Sequence, residues 1–296
     1  MLFALYACSS RSDFKAHQQF VEEQLVDNET LNHQTLMIDD FQLGYVSVGN
    51  PHQGIVLWLH GTPGSWKDAG KLLVNQSLLK DVMIVTLDRP GWGNSFFLPS
   101  LRRHDVNKDV ASFDSQSYYI SSLVTRLHKQ YPNTPIYLAG HSWGASLAPR
   151  IALDNLDLID GMVLVAGTHA PQLAKPRWYH HLARRWPFKN WIGDRLIVAN
   201  NEMHALPAGV ESHAKQWSVL SGIKTVVMQG KEDPLVDYKN VDFVKKHIEQ
   251  SVIILDENYG HFWHVQRSDD IALCILAVVN NELDKCEELI FTYKKY

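Results

Sequence analysis

The sequence predicts an α/β fold in which a mainly parallel, twisted sheet carries helices on both faces. Beyond residue 35, apolar runs of strand length alternate with segments of helical periodicity. Ile55–Leu59 is the clearest of these runs, because consecutive apolar residues are typical of a strand buried on both faces. Strands that alternate with helices indicate βαβ units, whose crossovers pair the strands in parallel.

The predicted elements follow one another along the chain. Thr35–Val48 is predicted to form a hairpin that turns at Asp39 and Asp40. Buried strands are predicted at Ile55–Leu59, Val82–Leu87, Ile136–Ala139, Met162–Val165, Val226–Met228 and Val252–Leu255. Helices are predicted at Ala69–Leu79, Gln116–Gln130, Trp143–Leu153, Tyr238–Ile248 and Val265–Leu283.

One segment interrupts the alternation. Residues 171–222 separate two predicted strands, and an unstructured loop of that length is unusual inside a compact domain. We therefore predict a small helical lid at 171–222, inserted between core segments 35–170 and 223–296. Its Trp178, Trp186 and Trp191 are candidate substrate contacts, because aromatic side chains beside a pocket supply apolar contact area. The alternative is a purely structural helix pair.

The first 34 residues suggest a signal remnant and tether. Leu5-Tyr6-Ala7-Cys8 resembles the end of a bacterial lipoprotein signal, in which such a box precedes a lipidated cysteine. The apolar run before it is too short to span a bilayer. The sequence leaves two alternatives open: membrane attachment through a lipidated Cys8, or a frayed N-terminus with a buried Cys8 in a cytoplasmic protein.

Composition narrows the classes of partner. The 296 residues carry a net charge of −4, which gives no reason to expect nucleic acid as a partner. The three cysteines are too few for a disulfide framework, and Cys274 and Cys286 are not expected to bridge because they fall in one predicted helical region. No metal-ligand spacing is present, so no metal site is expected. Nothing in the sequence indicates the oligomeric state.

Gly140-His141-Ser142-Trp143-Gly144 is the strongest chemical motif. It directly follows the predicted strand Ile136–Ala139 and opens a helical pattern, which is the strand–turn–helix context of a nucleophile elbow. The glycines relieve crowding around a serine on a strained turn. The start of the helix also offers free N–H groups to developing negative charge. Ser142 is therefore the predicted nucleophile.

Two further motifs extend this pattern into a family resemblance. His60-Gly61-Thr62-Pro63-Gly64 follows the strand that ends at Leu59, and Asp88-Arg89-Pro90-Gly91-Trp92-Gly93-Asn94-Ser95 follows the next strand. With the elbow, they resemble the α/β-hydrolase fold superfamily from about residue 35 to the end. The resemblance implies an oxyanion hole built from the backbone N–H groups of Thr62 and Trp143. It implies a structural role for Asp88, which can bind backbone N–H groups.

The serine needs a base and an acid, which follow it in chain order in this superfamily. His261 fits the base, because Gly260-His261 follows the strand Val252–Leu255, and His264 is its rival. Gly230-Lys231-Glu232-Asp233 places the acid on Asp233 by the family pattern, with Glu232 and Asp237 as rivals. A helix cap is the structural alternative for Asp233.

These residues predict a serine hydrolase that cleaves a carboxylic ester, or a related acyl bond in a small-molecule substrate, through an acyl-enzyme. Serine at the elbow argues against the haloalkane dehalogenases and epoxide hydrolases that resemble this fold, because they use aspartate there. Proline iminopeptidases are somewhat similar, although Thr62 and His141 depart from their pattern. A carbon–carbon bond hydrolase and a non-catalytic ligand-binding protein remain alternatives. No cofactor is expected, since this chemistry requires none.

Overall fold

The computed structural model describes residues 16–17, 19–25, 28–98, 110–185 and 193–293. Its strands are β1 (Asn32–Ile38), β2 (Phe41–Val48), β3 (Gly54–Leu59), β4 (Val82–Leu87), β5 (Phe96–Phe97), β6 (Ile136–His141), β7 (Ile159–Val165), β8 (Lys224–Gly230) and β9 (Val252–Asp256). They form one sheet in the order β1-β2-β4-β3-β6-β7-β8-β9, and β5 pairs with β2. Strand β2 pairs antiparallel with β1, β4 and β5. All the other pairs, between β4, β3, β6, β7, β8 and β9 in that order, are parallel, so the sheet is mainly parallel, as predicted.

Within the described residues, the α-helices that follow β3 are α1 (Gln76–Leu79), α2 (Phe113–Gln130), α3 (Trp143–Asp154), α4 (Trp178–Ala183), α5 (Asp194–Ala214), α6 (Asn240–His247), α7 (Trp263–Gln266), α8 (Ser268–Val279) and α9 (Leu283–Tyr293). The described residues also form 3-10 helices at Trp66–Val74, Pro171–Leu173 and Trp217–Gly222. In the part of the chain that the structure describes, no helix has both the length and the apolar character needed to cross a bilayer.

Helices cover both faces of the sheet, as the alternation predicted. Successive side chains of β3 point to opposite faces, so Leu57 joins the core cluster around α2 and α3 while Trp58 joins the cluster around α8. Residues 19–24 are helical, and Val21 and Leu25 are buried in the second cluster. Part of the predicted N-terminal tether therefore packs onto the domain, whereas Cys8 lies outside the described residues.

The predicted insertion between β7 and β8 consists mainly of helices where it is described. It contains the 3-10 turn Pro171–Leu173, α4, α5 and the 3-10 turn Trp217–Gly222. Helix α5 reaches the first core cluster through Leu206 and Val210. It is therefore anchored to the domain, and its function as a lid stays a prediction.

Two helix predictions were wrong in extent. The segment predicted as one helix at Ala69–Leu79 is a 3-10 helix followed by α1, because Gly70 adopts φ 50° and the Asn75 side chain accepts the Leu78 N–H at 3.0 Å to cap the second helix. The segment predicted at Val265–Leu283 instead spans the end of α7, the whole of α8 and the first residue of α9. Asn281 ends this run at φ 59°, a left-handed conformation that stops a helix.

That break also corrects the expectation for two cysteines, because Cys274 and Cys286 form a disulfide. In one continuous helix their twelve-residue separation would place them roughly 18 Å apart. Because the chain reverses after α8, their Cα atoms lie 5.0 Å apart. The bond joins α9, near the end of the chain, to a helix that packs on the sheet.

His169 is a buried histidine just beyond β7. It is 1% exposed, and neither ring nitrogen has a hydrogen-bond partner among the described residues. Burial, followed by repulsion from His213, lowers the pKa of His169 to about 3. The ring is therefore neutral in the folded protein at pH values where an imidazole in the unfolded chain is already charged.

We expect replacement of His169 by phenylalanine to make the protein less sensitive to acid. Between pH 6.5 and pH 3 the unfolded chain binds more protons at this position than the folded chain, so folded-state stability falls as pH falls through that window. Wild-type protein should therefore lose about 2 kcal/mol more unfolding free energy than His169→Phe between pH 7 and pH 5. Urea unfolding at both pH values measures this, and equal losses would contradict it.

Candidate active site

Ser142 lies at a sharp turn between β6 and α3. Its φ of 54° and ψ of −114° are unusual for a non-glycine residue. The turn is held to the neighbouring strand, because the Ser142 N–H donates to the Val165 carbonyl at 2.8 Å. The predicted strand–turn–helix context of the elbow is thus present, and the serine occupies its strained position.

The two glycines of the elbow motif are required by close contacts. A Cβ added to Gly144 would lie 2.1 Å from the Leu59 carbonyl oxygen, and one added to Gly140 would lie 2.7 Å from the Gly144 carbonyl carbon. Neither position can accommodate a side chain without a backbone shift. The glycines therefore let helix α3 begin directly against β3.

The loop after β3 lies against this turn. A Cβ added to Gly61 would lie 3.3 Å from Ser142 Cβ, so Gly61 and Ser142 are in close contact. The following Thr62–Pro63 peptide is cis. Within the described ranges, neither the Thr62 N–H nor the Trp143 N–H donates to another residue. Two backbone donors flanking the serine are therefore available to a ligand.

Asp233 and His261 meet in a buried hydrogen bond. Asp233 Oδ2 lies 2.7 Å from His261 Nδ1, and the two side chains are 0% and 4% exposed. The second carboxylate oxygen accepts the N–H groups of Leu235 and Val236 at 2.8 and 2.9 Å. Burial tends to raise the pKa of Asp233, but the His261 imidazole and these N–H donors outweigh it and hold that pKa below its usual value.

The alternative candidates for the acid and for the base make different contacts. Glu232 is exposed, and the Asp237 carboxylate accepts the Lys239 N–H at the start of the α6 region. His264 lies in α7, buried, with its ring centroid 4.0 Å from that of His141. Of these candidates, Asp233 and His261 are the pair in contact, and their roles as acid and base stay a prediction.

His141, inside the elbow motif, supports the His261 loop. Its Nε2 lies 2.8 Å from the His261 carbonyl oxygen. Because a carbonyl only accepts, this nitrogen carries the proton. Burial and the nearby His261 lower the pKa of His141 to about 3, so the ring stays neutral. The sequence did not predict this contact, because the elbow motif accepts any residue between Gly140 and Ser142.

The His261 ring lies beside His141, the residue that precedes Ser142 in the chain. No hydrogen bond joins the Ser142 hydroxyl to that ring among the residues that the structure describes. The ring centroid of His261 nevertheless lies 4.7 Å from that of His141, which directly precedes Ser142 in the chain. Contacts of this kind are often long in free enzymes and tighten when substrate binds.

Asp88 makes the backbone contacts that the sequence suggested. Its Oδ1 accepts the Trp66 N–H at 3.0 Å, and its Oδ2 accepts the Asn94 N–H at 2.9 Å. A Cβ on Gly93 would lie 2.1 Å from Asp88 Oδ2, so the glycine makes room for the carboxylate. The residue thus joins the loop after β4 to the turn after β3.

The three tryptophans of the insertion were predicted to contact substrate. Trp178 opens α4 and is 75% exposed, while Trp186 and Trp191 lie outside the described residues. Their contact with substrate stays a prediction. Across the described ranges, no group of three His, Cys, Asp or Glu side chains is arranged to hold a metal ion.

A buried ion pair beside the site was missed from the sequence. The side chains of Arg89 and Glu202 are both 0% exposed, and Arg89 Nη1 lies 2.5 Å from Glu202 Oε1. Arg89 belongs to the motif after β4, for which only Asp88 and the glycines had been interpreted. Glu202 lies in α5, 113 residues further on, and no motif marks it.

Comparison with known proteins places the chain among hydrolases. The model of the alpha/beta hydrolase family matches residues 56–272. A stretch of 128 residues, 43% of this chain and 37% of the relative, is 30% identical to the "Putative proline iminopeptidase" of Mycoplasma genitalium. Another of 135 residues, 46% of this chain and 41% of the relative, is 24% identical to the soluble epoxide hydrolase of Corynebacterium sp. strain C12. The chain thus aligns with less than half the length of each relative.

The fold has close counterparts among solved structures. The 2-hydroxy-6-oxo-6-phenylhexa-2,4-dienoate hydrolase of Rhodococcus sp. strain RHA1 superposes with a TM-score of 0.62 at 16% identity, over 85% of this chain and 99% of that one. At that identity the likeness shows the fold alone. The family match covers well over half of the sequence and includes all three motif loops. On this evidence, the chain belongs to the alpha/beta hydrolase family.

Proposed function

We propose that this protein is a serine hydrolase that cleaves a carboxylic ester, or a related acyl bond in a small molecule, through an acyl-enzyme. Ser142 is the nucleophile, His261 the base and Asp233 the acid that orients it. The observation that carries the proposal is the buried 2.7 Å contact between Asp233 Oδ2 and His261 Nδ1, beside a serine held in an elbow conformation. The two N–H donors of Thr62 and Trp143 support it further.

The contact with Asp233 determines which nitrogen of His261 is basic. Because the pKa of Asp233 is held below its usual value, its carboxylate is ionised at neutral pH and only accepts hydrogen bonds. His261 Nδ1 must then carry the proton, which leaves a lone pair on Nε2. That nitrogen is free to accept a proton from the serine hydroxyl.

Acylation follows from this arrangement. Ser142 Oγ attacks the carbonyl carbon of the substrate while its proton passes to His261 Nε2, and the carbonyl oxygen becomes an oxyanion. The N–H groups of Thr62 and Trp143 stabilise that charge. When the tetrahedral intermediate collapses, the bond to the leaving group breaks. His261 returns the proton to the leaving oxygen, so that an alcohol departs and Ser142 is acylated.

Deacylation repeats these steps with water. His261 Nε2 takes a proton from a water molecule, whose oxygen attacks the acyl carbon, and the oxyanion again lies against the same two N–H groups. The collapse of this second intermediate releases a carboxylic acid and returns the proton to Ser142 Oγ. The cycle therefore uses only this chain's own residues and water.

Serine at the elbow favours acyl transfer over epoxide opening. The epoxide hydrolases that resemble this fold use aspartate at this position, whereas the present chain has Ser142. Aminopeptidase activity is the second candidate, because one relative is named for proline iminopeptidase activity. Hydrolysis of proline p-nitroanilide, compared with that of a p-nitrophenyl ester, separates the two activities.

We expect Ser142→Ala to abolish both ester hydrolysis and labelling by a fluorophosphonate probe. The hydroxyl is the attacking group in each reaction, so its removal should lower kcat on a short-chain p-nitrophenyl ester by about 10⁶-fold. Ser146→Ala is a matched control, because that hydroxyl lies one helical turn away and donates to the Ser142 carbonyl. Equal labelling of wild-type and Ser142→Ala protein would defeat the proposal.

We expect Asp233→Asn to lower kcat by about 10⁴-fold while the protein stays folded. The Asn oxygen would keep the N–H groups of Leu235 and Val236, which turns its NH₂ group toward His261 Nδ1. His261 would then carry its proton on Nε2, where the proton of Ser142 has to arrive. Steady-state kinetics measure the change, with circular dichroism as the folding control. A loss smaller than tenfold would show that Asp233 is not the orienting acid.

A further inference from the structure

Arg89 makes an unusually complete set of buried hydrogen bonds. Its guanidinium is 0% exposed, and all five N–H groups have acceptors within reach. Nε donates to the His60 carbonyl at 2.8 Å, and Nη2 donates to the Gly61 carbonyl at 2.8 Å and to Glu202 Oε2 at 3.1 Å. Nη1 donates to Gln116 Oε1 at 2.7 Å and to Glu202 Oε1 at 2.5 Å. The side chain thus connects three separate segments.

Glu202 faces this guanidinium from helix α5 of the insertion. Its carboxylate is 0% exposed, and Oε1 also accepts Gln116 Nε2 at 2.7 Å and Trp92 Nε1 at 3.0 Å. Trp92 in turn packs with Val198 and Ala199 in a small buried cluster. The insertion therefore touches the loop after β4 through both charge and apolar contact.

The contact with Gly61 fixes the direction of the next N–H group. The Gly61–Thr62 peptide is trans, and in a planar trans peptide the carbonyl and the N–H point in opposite directions. The Gly61 carbonyl is held by Arg89 Nη2 and by His60 Nδ1, which lies 2.7 Å away. The Thr62 N–H must then point away from Arg89. A rotation of this peptide would break both bonds to the carbonyl.

His60 strengthens this arrangement. The Arg89 backbone N–H donates to His60 Nε2 at 2.9 Å, so Nε2 is an acceptor and the proton lies on Nδ1, where it is donated to Gly61. Burial, followed by repulsion from Arg89, holds the pKa of His60 well below its usual value and keeps this neutral tautomer. The carbonyls of His60 and Gly61 are thus both bound within the same cluster.

The second N–H donor is attached to the same cluster. Gln116 Oε1 accepts the indole Nε1–H of Trp143 at 3.1 Å as well as Arg89 Nη1. The Trp143 side chain is 1% exposed, so its indole has little freedom to move. The residues that supply both candidate oxyanion donors therefore share one buried hydrogen-bond network with Glu202.

We propose that the Arg89–Glu202 ion pair is a positioning device that aims the Thr62 N–H into the oxyanion hole, so that docking of helix α5 assembles the hole. The inference rests on the proposed function and adds positioning residues to it. A buried ion pair contributes little to folding compared with apolar residues of similar volume. Its bidentate geometry instead fixes the loop carbonyls, which apolar side chains cannot do.

Two variants test the proposal. Glu202→Gln removes the charge that holds Arg89, and the double variant Arg89→Met with Glu202→Leu replaces the whole pair by apolar side chains that are expected to pack without an unpaired charge. Asp114→Asn is the matched control, because it breaks a surface Arg–carboxylate pair with Arg150, where the aspartate is 67% exposed. Each variant is assayed on a p-nitrophenyl ester, and the end point of fluorophosphonate labelling counts the competent sites.

In both test variants, we expect kcat per competent site to fall about 10- to 100-fold, with KM changed less than about twofold. The reason is that a misdirected Thr62 N–H no longer stabilises the charge that develops in the transition state. The rate of fluorophosphonate labelling should fall in parallel while its end point is retained, a combination that a purely structural role would not produce. The Asp114→Asn control should retain wild-type kcat. Unchanged kcat per competent site in either test variant would overturn the proposal.

The outcome is distinguishable from failure of the proposed function. If Ser142→Ala retains activity, the serine mechanism itself fails. If Ser142 is required but the double variant, in which apolar side chains replace both Arg89 and Glu202, supports full kcat, only the positioning role fails.

Discussion

Parallel pairing of the central strands is the constraint on which the candidate site depends. Because β3, β6, β8 and β9 run in one direction, the loops that follow them emerge at the same edge of the sheet. Those loops contain Thr62, Ser142, Asp233 and His261, which are far apart in the sequence. The sheet therefore brings the four loops to one edge, and each loop determines the final direction of its own side chain or N–H.

Buried hydrogen bonds hold the directions of groups within these loops. Asp233 accepts two backbone N–H groups, His141 donates to the carbonyl of His261, and Arg89 binds the carbonyls of the loop after β3. Groups of this kind are expensive to bury, and breaking one member of a buried ion pair costs about 3–5 kcal/mol. The polar network therefore resists rearrangement of the loops, as the proposed oxyanion hole requires.

Local patterns in the sequence predicted a large part of this architecture. The elbow, the hairpin and the parallel strands each depend on neighbouring residues, so apolar runs and glycine spacing were sufficient. The acid and the base were assigned through the family resemblance, and the contact between Asp233 and His261 matches that assignment. Chain order and motif were therefore sufficient to predict that these two side chains meet, although the distance between them was not predictable.

What was missed depends on distant partners or on single turns. Glu202 pairs with a residue 113 positions away, and nothing around it in α5 distinguishes it from a surface glutamate. The disulfide was excluded because apolar periodicity continued through Asn281, whose left-handed conformation reverses the chain. In both cases the tertiary contact gives the residue its role, and that contact leaves no trace in local periodicity.

The most direct test of the account is a crystal structure of the enzyme after reaction with a phosphonate ester. We expect the phosphorus to be bonded to Ser142 Oγ. Its non-bridging oxygen should lie about 2.7–3.1 Å from the backbone nitrogens of both Thr62 and Trp143. An adduct on another residue, or a phosphonyl oxygen directed away from those two nitrogens, would contradict the account.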